Sequence, residues 1–397
     1  MKNFNGKNLG AIYPFPHINL PIFPKEGEIN QCQSKGFFYY NRSVVNRNLL
    51  ASTLIPVAKG ASYLILPLTV NMPELFDYYK NVYGENHTGN YDNLLFCNNK
   101  EYEFKSIELS LQTGNKIVSI VPYINNPYSY LDVEVYSTIQ SKWNISQLTN
   151  KVAKQYLVKL SNFEKIIETN QLNFPLFVKG HFGSGGDYVV KANSIKDVKS
   201  PEKETFLIEE NFPHDINFNI QTHISPEGEI SYVSGSTQLI EEVVYIGNII
   251  VLESTPYKIP NVVYDIVNEA SQNVYKQGWY GLAGWDILYR KEDDKAILID
   301  PNLRWNGATT FMILGKSIAQ QTGKKYILQC SIISRKFQYV SEGMNQLKRF
   351  LNNGDLFING GSYQDDKEGY FKLRIGITGN EVEELHDKKS FFEKILL

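Results

Sequence analysis

Residues 297–304 read Ile-Leu-Ile-Asp-Pro-Asn-Leu-Arg. The three branched apolar residues mark a strand, and it runs straight into Asp300. A carboxylate beside a core costs free energy unless a partner or a cation compensates it. Asn302, two residues on, shares the strand face of Asp300. Arg304 follows, with a planar fork suited to a phosphate or a developing anion. Upstream, Trp285 to Tyr289 is a second apolar strand carrying Asp286, and the charged run Lys291 to Lys295 is a solvated turn between the two. The pair therefore predicts an antiparallel hairpin with Asp286 and Asp300 near one another at the same end. Mg²⁺ takes oxygen ligands in near-octahedral array, usually one or two carboxylates with waters and phosphates supplying the rest. Asp286, Asp300 and Asn302 offer such a set. The competing reading is a simple ion pair between Asp300 and Arg304 at a strand end.

Upstream again, Phe174 to Lys179 and Tyr188 to Lys191 are short strands flanking Gly183-Ser184-Gly185-Gly186. Such a loop presents backbone N–H groups with no side chain in the way, as phosphate oxygens require; a plain hairpin turn is the alternative. Lys179 ends its strand, where its ammonium can reach a phosphate beneath the loop or simply lie at the surface. A Rossmann site fails because Tyr188 stands at the third glycine position and a strand follows. Gly315-Lys316-Ser317 resembles the end of a P-loop, but Thr310 replaces its first glycine and no strand leads into it. A protein kinase is disfavoured, since no HRD or DFG element follows and Lys179 precedes the loop. Phe206-Leu207-Ile208-Glu209-Glu210-Asn211-Phe212 is an apolar strand running into acids and an aromatic, suited to lining an adenine slot, with Asp215 placed to accept from a ribose hydroxyl. It reads equally as an edge strand with a polar end.

The 397 residues allow two or three modules. Their formal net charge of −2 provides no global field for nucleic acid or an anionic membrane. Cys32, Cys97 and Cys330 are too scattered for a disulfide framework or a CxxC metal pair, which fits a reducing compartment. Pro14, Pro16 and Pro21 interrupt the apolar stretch Leu9 to Phe23, unlike a signal-peptide core. A soluble, cytoplasmic protein is the default expectation. Tyr63 to Leu68 and Lys116 to Tyr123 read as strands and Pro73 to Val82 as an amphipathic helix, a small α/β layer domain. A helix-like stretch runs from Lys151 through Leu160, then strands at Thr205 to Glu209, Ile216 to Ile224 and Ile230 to Ser234, and a helix at Val262 to Gln277. After Pro301 the pattern is helical through about Ile327. The tail holds a helix around Met344 to Leu351, a strand from Tyr370 and a helix at Glu381 to Ile395, with the look of a lid or edge subdomain.

In order, these segments resemble the ATP-grasp superfamily over about residues 140 to 320. Phe177-Val178-Lys179-Gly180 through Gly186 is similar to its strand lysine and flexible glycine loop, with Gly180 where a proline often stands. Phe206 to Phe212 is similar to its hinge. Asp286 with Asp300-Pro301-Asn302-Leu303-Arg304 and Asn306-Gly307 resembles its metal-binding strand pair, with aspartate at 300 in place of the commoner glutamate. Lys151, after Asn150, is similar to the first phosphate-contacting lysine, with Lys154 as a competitor. The flanking modules look most like those of peptide ligases with a pre-ATP-grasp domain, and Gln238, Glu241 and Gly247 fall in a segment that borders phosphates and substrate there.

The resemblance implies an α/β fold of α+β ATP-grasp architecture: a pre-ATP-grasp α/β domain at 1–145, a two-part ATP-grasp domain at 146–330 and a small C-terminal subdomain at 331–397. It implies ATP bound by Lys151, Lys179, Gly183, Ser184, Gly185, Gly186, Glu209, Glu210, Phe212 and Asp215. Two Mg²⁺ ions, or Mn²⁺, would lie on Asp286, Asp300 and Asn302, with Arg304 as the catalytic arginine. The implied activity is carboxylate–amine ligation through an acyl phosphate, releasing ADP and phosphate. Its partners would be small carboxylates and amines, amino acids or peptides, and neither nucleic acid nor a membrane. The oligomeric state is left open, a homodimer included. Phosphoryl transfer to another acceptor and non-catalytic ATP binding are the rival functions.

Overall fold

The computed structural model describes residues 29–31, 49–57, 63–83, 94–97, 105, 108–109, 111–112, 117–119, 133–181, 188–198, 204–252, 259–363 and 370–397. The chain divides into two units, one formed by residues 1–132, 247–257 and 304–397 and the other by 133–246 and 258–303. Cys32, the stretch Leu9 to Phe23 and the glycines at 183, 185 and 186 with Ser184 lie outside the described residues.

The first unit opens with β1 (Ile29–Gln31), β2 (Tyr63–Pro67), helix α1 (Pro73–Tyr83), β3 (Leu94–Cys97) and β4 (Ile117–Ser119). The strands form a parallel sheet in the order β3-β2-β1-β4. Parallel neighbours need a crossover, and α1 supplies one between β2 and β3. Its Leu75, Tyr78, Tyr79, Val82 and Tyr83 recur at helical spacing and are buried. The expected α/β layer is therefore present among the described residues.

The second unit begins with α2 (Val133–Ile139), a 3-10 helix over Lys142–Gln147, β5 (Gln155–Lys159), α3 (Phe163–Thr169), β6 (Leu176–Lys179), β7 (Val189–Ala192) and β8 (Thr205–Glu210). These strands form an antiparallel sheet in the order β5-β8-β6-β7. Val158, Leu176, Val178, Phe206 and Ile208 meet Ile167 of α3 in its core. The helix expected from Lys151 to Leu160 is instead strand β5. Its alternation decides this: Val158 is buried while Leu157 and Lys159 face solvent, and the five residues pair with β8 from Gln155↔Glu209 to Lys159↔Thr205.

Next come β9 (Ile216–Ile224), β10 (Ile230–Glu241), β11 (Val244–Val251), α4 (Asn261–Lys276), β12 (Gly281–Arg290) and β13 (Lys295–Asn302). In the second unit the order β13-β12-β9-β10 is antiparallel throughout. Helix α4 lies on one face through Val263, Ile266, Val267, Ala270 and Val274. There the fully buried Trp285 donates from Nε1 to Thr222 Oγ1 at 2.9 Å, and that hydroxyl meets Ser271 Oγ of α4 at 3.3 Å. The opposite face carries Asn217, Asn219, Gln221 and His223 of β9 at alternate positions, in line with Asp286 of β12.

The chain returns to the first unit within β11, from Gly247. It continues with α5 (Thr309–Thr322), β14 (Tyr326–Ser334), α6 (Val340–Asn353), β15 (Leu356–Tyr363), β16 (Phe371–Gly379) and α7 (Val382–Leu396). The sheet here runs β11-β14-β16-β15, all antiparallel. The helical pattern expected to about Ile327 stops at Thr322. Gly323, at φ 68°, caps α5 in the left-handed conformation, and Tyr326 and Ile327 already belong to β14. Among the described residues no helix is long and apolar enough to cross a membrane.

Lys372 and Arg374 share one face of β16, two residues apart. Burial, and secondarily the Arg374 charge, brings the Lys372 ammonium down to about 8. Between that value and the unfolded value near 10.4 the unfolded chain binds more protons, so stability rises with pH across that window. Below pH 8 the penalty is fully present. Lys372→Met is expected to stabilise the protein at pH 7 by about 1–2 kcal/mol and to flatten its stability between pH 8 and 10. Urea denaturation at both ends of that range checks it, and an unstabilised variant at pH 7 would refute it.

Candidate active site on the β12–β13 hairpin

The hairpin sets Asp286 directly opposite Asp300 and Gly284 opposite Asn302. Ile299 is the extra residue of a bulge between the Asp286 and Ile287 rungs, and such a bulge re-aims the side chains beside it. Asp286 Oδ1 accepts from Asn219 Nδ2 at 2.6 Å and Gln238 Nε2 at 3.0 Å, and Oδ2 accepts from Asn302 Nδ2 at 3.0 Å. Burial, reinforced by the charge of Asp300, pushes the Asp286 carboxyl up to about 6. Asp300 Oδ2 meets the buried Lys142 ammonium at 2.5 Å, and Asp300 Oδ1 is a buried acceptor with no hydrogen-bond partner among the described residues.

Two carboxylates thus face one another, with one ammonium on Asp300 and one buried Asp300 oxygen unused among the described residues. A buried carboxylate oxygen in that position calls for a cation. The donor set fits Mg²⁺: two carboxylates and an amide carbonyl, all hard oxygens. Asn302 presents its nitrogen to Asp286, and turning the amide about χ2 would present Oδ1 instead. Asp300 pairs with Lys142, so the ion pair expected as the competing reading exists with a different cation.

On the small sheet, Lys179 Nζ pairs with Glu209 Oε1 at 2.6 Å, both side chains buried, and Glu209 Oε2 has no hydrogen-bond partner among the described residues. Gly180 N donates to Tyr188 O at 2.9 Å, which closes the hairpin on either side of the glycine loop. Glu210 accepts from Asn173 N at 3.4 Å and lies 3.8 Å from Lys154 Nζ. Arg290 covers the Phe212 ring at 4.7 Å, its guanidinium oriented by two 2.8 Å bonds to Asp293. Asp215 Oδ2 accepts from Lys291 N at 2.7 Å, so this carboxylate already caps the β12–β13 turn.

Lys151 is not brought to the carboxylates. Its side chain is exposed and its carbonyl accepts from Leu298 N at 2.8 Å. Lys154 donates to Asn170 O at 2.7 Å instead. The cation that does arrive is Lys142, which sequence reasoning missed because nothing in Ser141-Lys142-Trp143 marks a buried ammonium. Asn219 was missed too, although a signal existed: Asn217, Asn219, Gln221 and His223 alternate with apolar residues along β9. Gln238 reaches Asp286, whereas Glu241 is exposed at the end of β10 and Gly247 lies in the other unit, as does the buried Arg304.

Residues 153–302, which hold the small sheet and the hairpin, match the family model described as L-aspartate--L-methionine ligase, ATP grasp. The fold as a whole resembles N5-carboxyaminoimidazole synthetase from Staphylococcus aureus in complex with ADP. The TM-score is 0.60 at 14% identity, over 92% of this chain and 99% of that one. Residues 153–302 thus match an ATP-grasp model, and the chain shares the fold of that synthetase. N5-carboxyaminoimidazole synthase from Aspergillus clavatus, with ADP and 5-aminoimidazole ribonucleotide, gives a TM-score of 0.56 at 12% identity, covering 90% of this chain and 96% of that one. An ADP complex of purK gives 0.55 at 13%, over 95% and 98%. The ATP-grasp resemblance read from residues 177–186, 206–212 and 286–307 agrees with the family model and with the fold.

Proposed function

We propose that this protein is an ATP-dependent carboxylate–amine ligase, with the facing pair Asp286 and Asp300 as the observation that carries the reading. Mg²⁺ held by Asp286, Asp300 and Asn302 would supply charge neutralisation along the triphosphate. A carboxylate oxygen of the acid substrate attacks the γ-phosphorus, the bond to the β-phosphate oxygen breaks, and ADP leaves. The amine then attacks the acyl carbon, phosphate departs with the former carboxylate oxygen, and the amine gives up a proton. Little covalent help is needed from the protein, so positioning and electrostatics carry the catalysis.

Lys179 is the phosphate lysine in this reading, exchanging Glu209 for a phosphate oxygen as ATP enters. Glu209, Glu210 and Phe212 line the adenine, with Arg290 stiffening the Phe212 ring from behind. Lys142 joins the set as the cation nearest the carboxylates, in preference to Lys151. Arg304, two residues past Asn302 in the chain, is the candidate for the developing acyl-phosphate and oxyanion charge. The family model favours amino-acid substrates, an aspartate-like acid and a methionine-like amine foremost.

The test is incubation of the protein with Mg²⁺-ATP and paired amino acids, L-aspartate with L-methionine first, following ADP, AMP, phosphate and product mass. ADP and phosphate that depend on both substrates, with a product of acid plus amine minus water, are expected. AMP and pyrophosphate would refute the acyl-phosphate route. A phosphorylated product without an amide would show phosphotransfer to another acceptor.

A further inference from the structure

Strand β13 ends the sheet of the second unit, with β12 on one side and, among the described residues, no strand on the other. An edge strand leaves its outward N–H and C=O groups to be satisfied by other means. On β13 that need is met in two ways. Leu298 N donates to the Lys151 carbonyl at 2.8 Å. Further along, the side-chain amide of Gln140 does the work of an absent neighbouring strand: Nε2 donates to Pro301 O, and Oε1 accepts from Leu303 N at 2.8 Å. Pro301 has no N–H to leave unpaired, which is why a proline is tolerated at this edge.

These two bonds bracket Asn302. Gln140 is 7% exposed, so both bonds are made away from competing water. The same short segment reaches further. Lys142 Nζ holds Asp300 Oδ2, and Lys142 N donates to His181 O at 3.1 Å. The Trp143 ring lies 4.3 Å from that of His181. His181 follows Lys179 by two residues, at the base of the glycine loop. Residues 140–143 therefore touch both the strand that bears the carboxylates and the strand end from which the loop departs.

We propose that Gln140 is a positioning residue for the metal site: by clamping the main chain on both sides of Asn302 it fixes the angle at which Asn302 meets Asp286. The proposal rests on the metal reading of Asp286, Asp300 and Asn302. Groups that orient metal ligands typically change metal affinity about 10- to 100-fold when removed.

The experiment uses the full chain as wild type, Gln140→Met and Gln140→Glu. Met keeps the volume and loses both bonds. Glu keeps the acceptor for Leu303 N, loses the donor to Pro301 O and sets a carboxylate against that carbonyl. Mn²⁺ binding is read by electron paramagnetic resonance with a non-hydrolysable ATP analogue present, and affinity for the same analogue is read separately in EDTA. Both variants are expected to bind Mn²⁺ about 10- to 100-fold more weakly, with metal-free nucleotide affinity unchanged and turnover recovered at saturating Mn²⁺. Wild-type Mn²⁺ affinity in either folded variant overturns the proposal, and so does an equal loss of nucleotide affinity in EDTA, which would mark a merely structural role. Should Gln140→Met fail to fold, Gln140→Glu carries the same criteria. A wild-type protein that binds no Mn²⁺ at all would overturn the metal reading itself, and this inference with it.

Discussion

Asp300→Asn is expected to abolish ligase turnover while leaving the fold and nucleotide binding in place. Asparagine is the informative replacement. Alanine would strand the Lys142 ammonium, which is 8% exposed and meets Asp300 Oδ2 at 2.5 Å, and breaking a buried pair from one side costs about 3–5 kcal/mol. Such a loss would confuse misfolding with inactivity. Asparagine retains an oxygen for Lys142 and removes the charge, together with one of the hard anionic ligands that Mg²⁺ prefers. Removing one electrostatic element of this kind typically costs about 10²–10³-fold in kcat, and more is expected here because Asp300 is one of only two carboxylates that would hold the ion. Asn302→Ala should fall in the same range, because it makes one bond to Asp286, at 3.0 Å, and strands no charge. Steady-state rates with thermal melts check both variants. Wild-type turnover in both would remove the carboxylate site from the mechanism.

Much of this site was legible because short strands with strict spacing carry it. Asp286, Asp300 and Asn302 were placed together by the hairpin pattern alone, and the structure sets the first two in direct register. Lys179 and Glu209 came from an apolar strand ending in charge, and they meet at 2.6 Å. What was not legible depends on tertiary pairing. Tyr156-Leu157-Val158 is short and fits either period until β8 supplies its partner, and β14 hides behind α5 because Gly323 is the single mark of the helix end. Lys142 and Gln140 act through contacts with residues about 160 positions away. A distance of that kind leaves no local pattern to read. Lys151 and its competitor Lys154 were named from a motif, and their side chains lie away from the hairpin carboxylates, with Lys154 donating to Asn170 O.

Asp286→Asn is expected to produce an inactive protein that is more stable than wild type without metal. The cause is the carboxyl pushed up to about 6 by burial and by Asp300, against an unfolded value near 3.9. Between those values the folded chain holds a proton that the unfolded chain has released, so stability falls as pH rises from about 4 to 6. Above pH 6 the whole penalty is present, about 1–3 kcal/mol with the lower figure favoured for a pair that shares Lys142. Asparagine removes the charge and still accepts from Asn219 and Gln238, while a turned Asn302 amide can receive its NH₂ group. Denaturation in EDTA should therefore show the variant gaining on wild type between pH 5 and pH 7.5. Added Mg²⁺ should reverse the order, because an ion that binds only the folded wild type stabilises it by mass action, by about 2.7 kcal/mol at a hundred times its dissociation constant. A variant less stable than wild type at pH 7.5 in EDTA would mean that the hydrogen bonds to Asp286 outweigh its buried charge. A wild-type protein indifferent to Mg²⁺ would leave the facing carboxylates as a structural pair, Asp300 held by Lys142 and Asp286 by its amide donors.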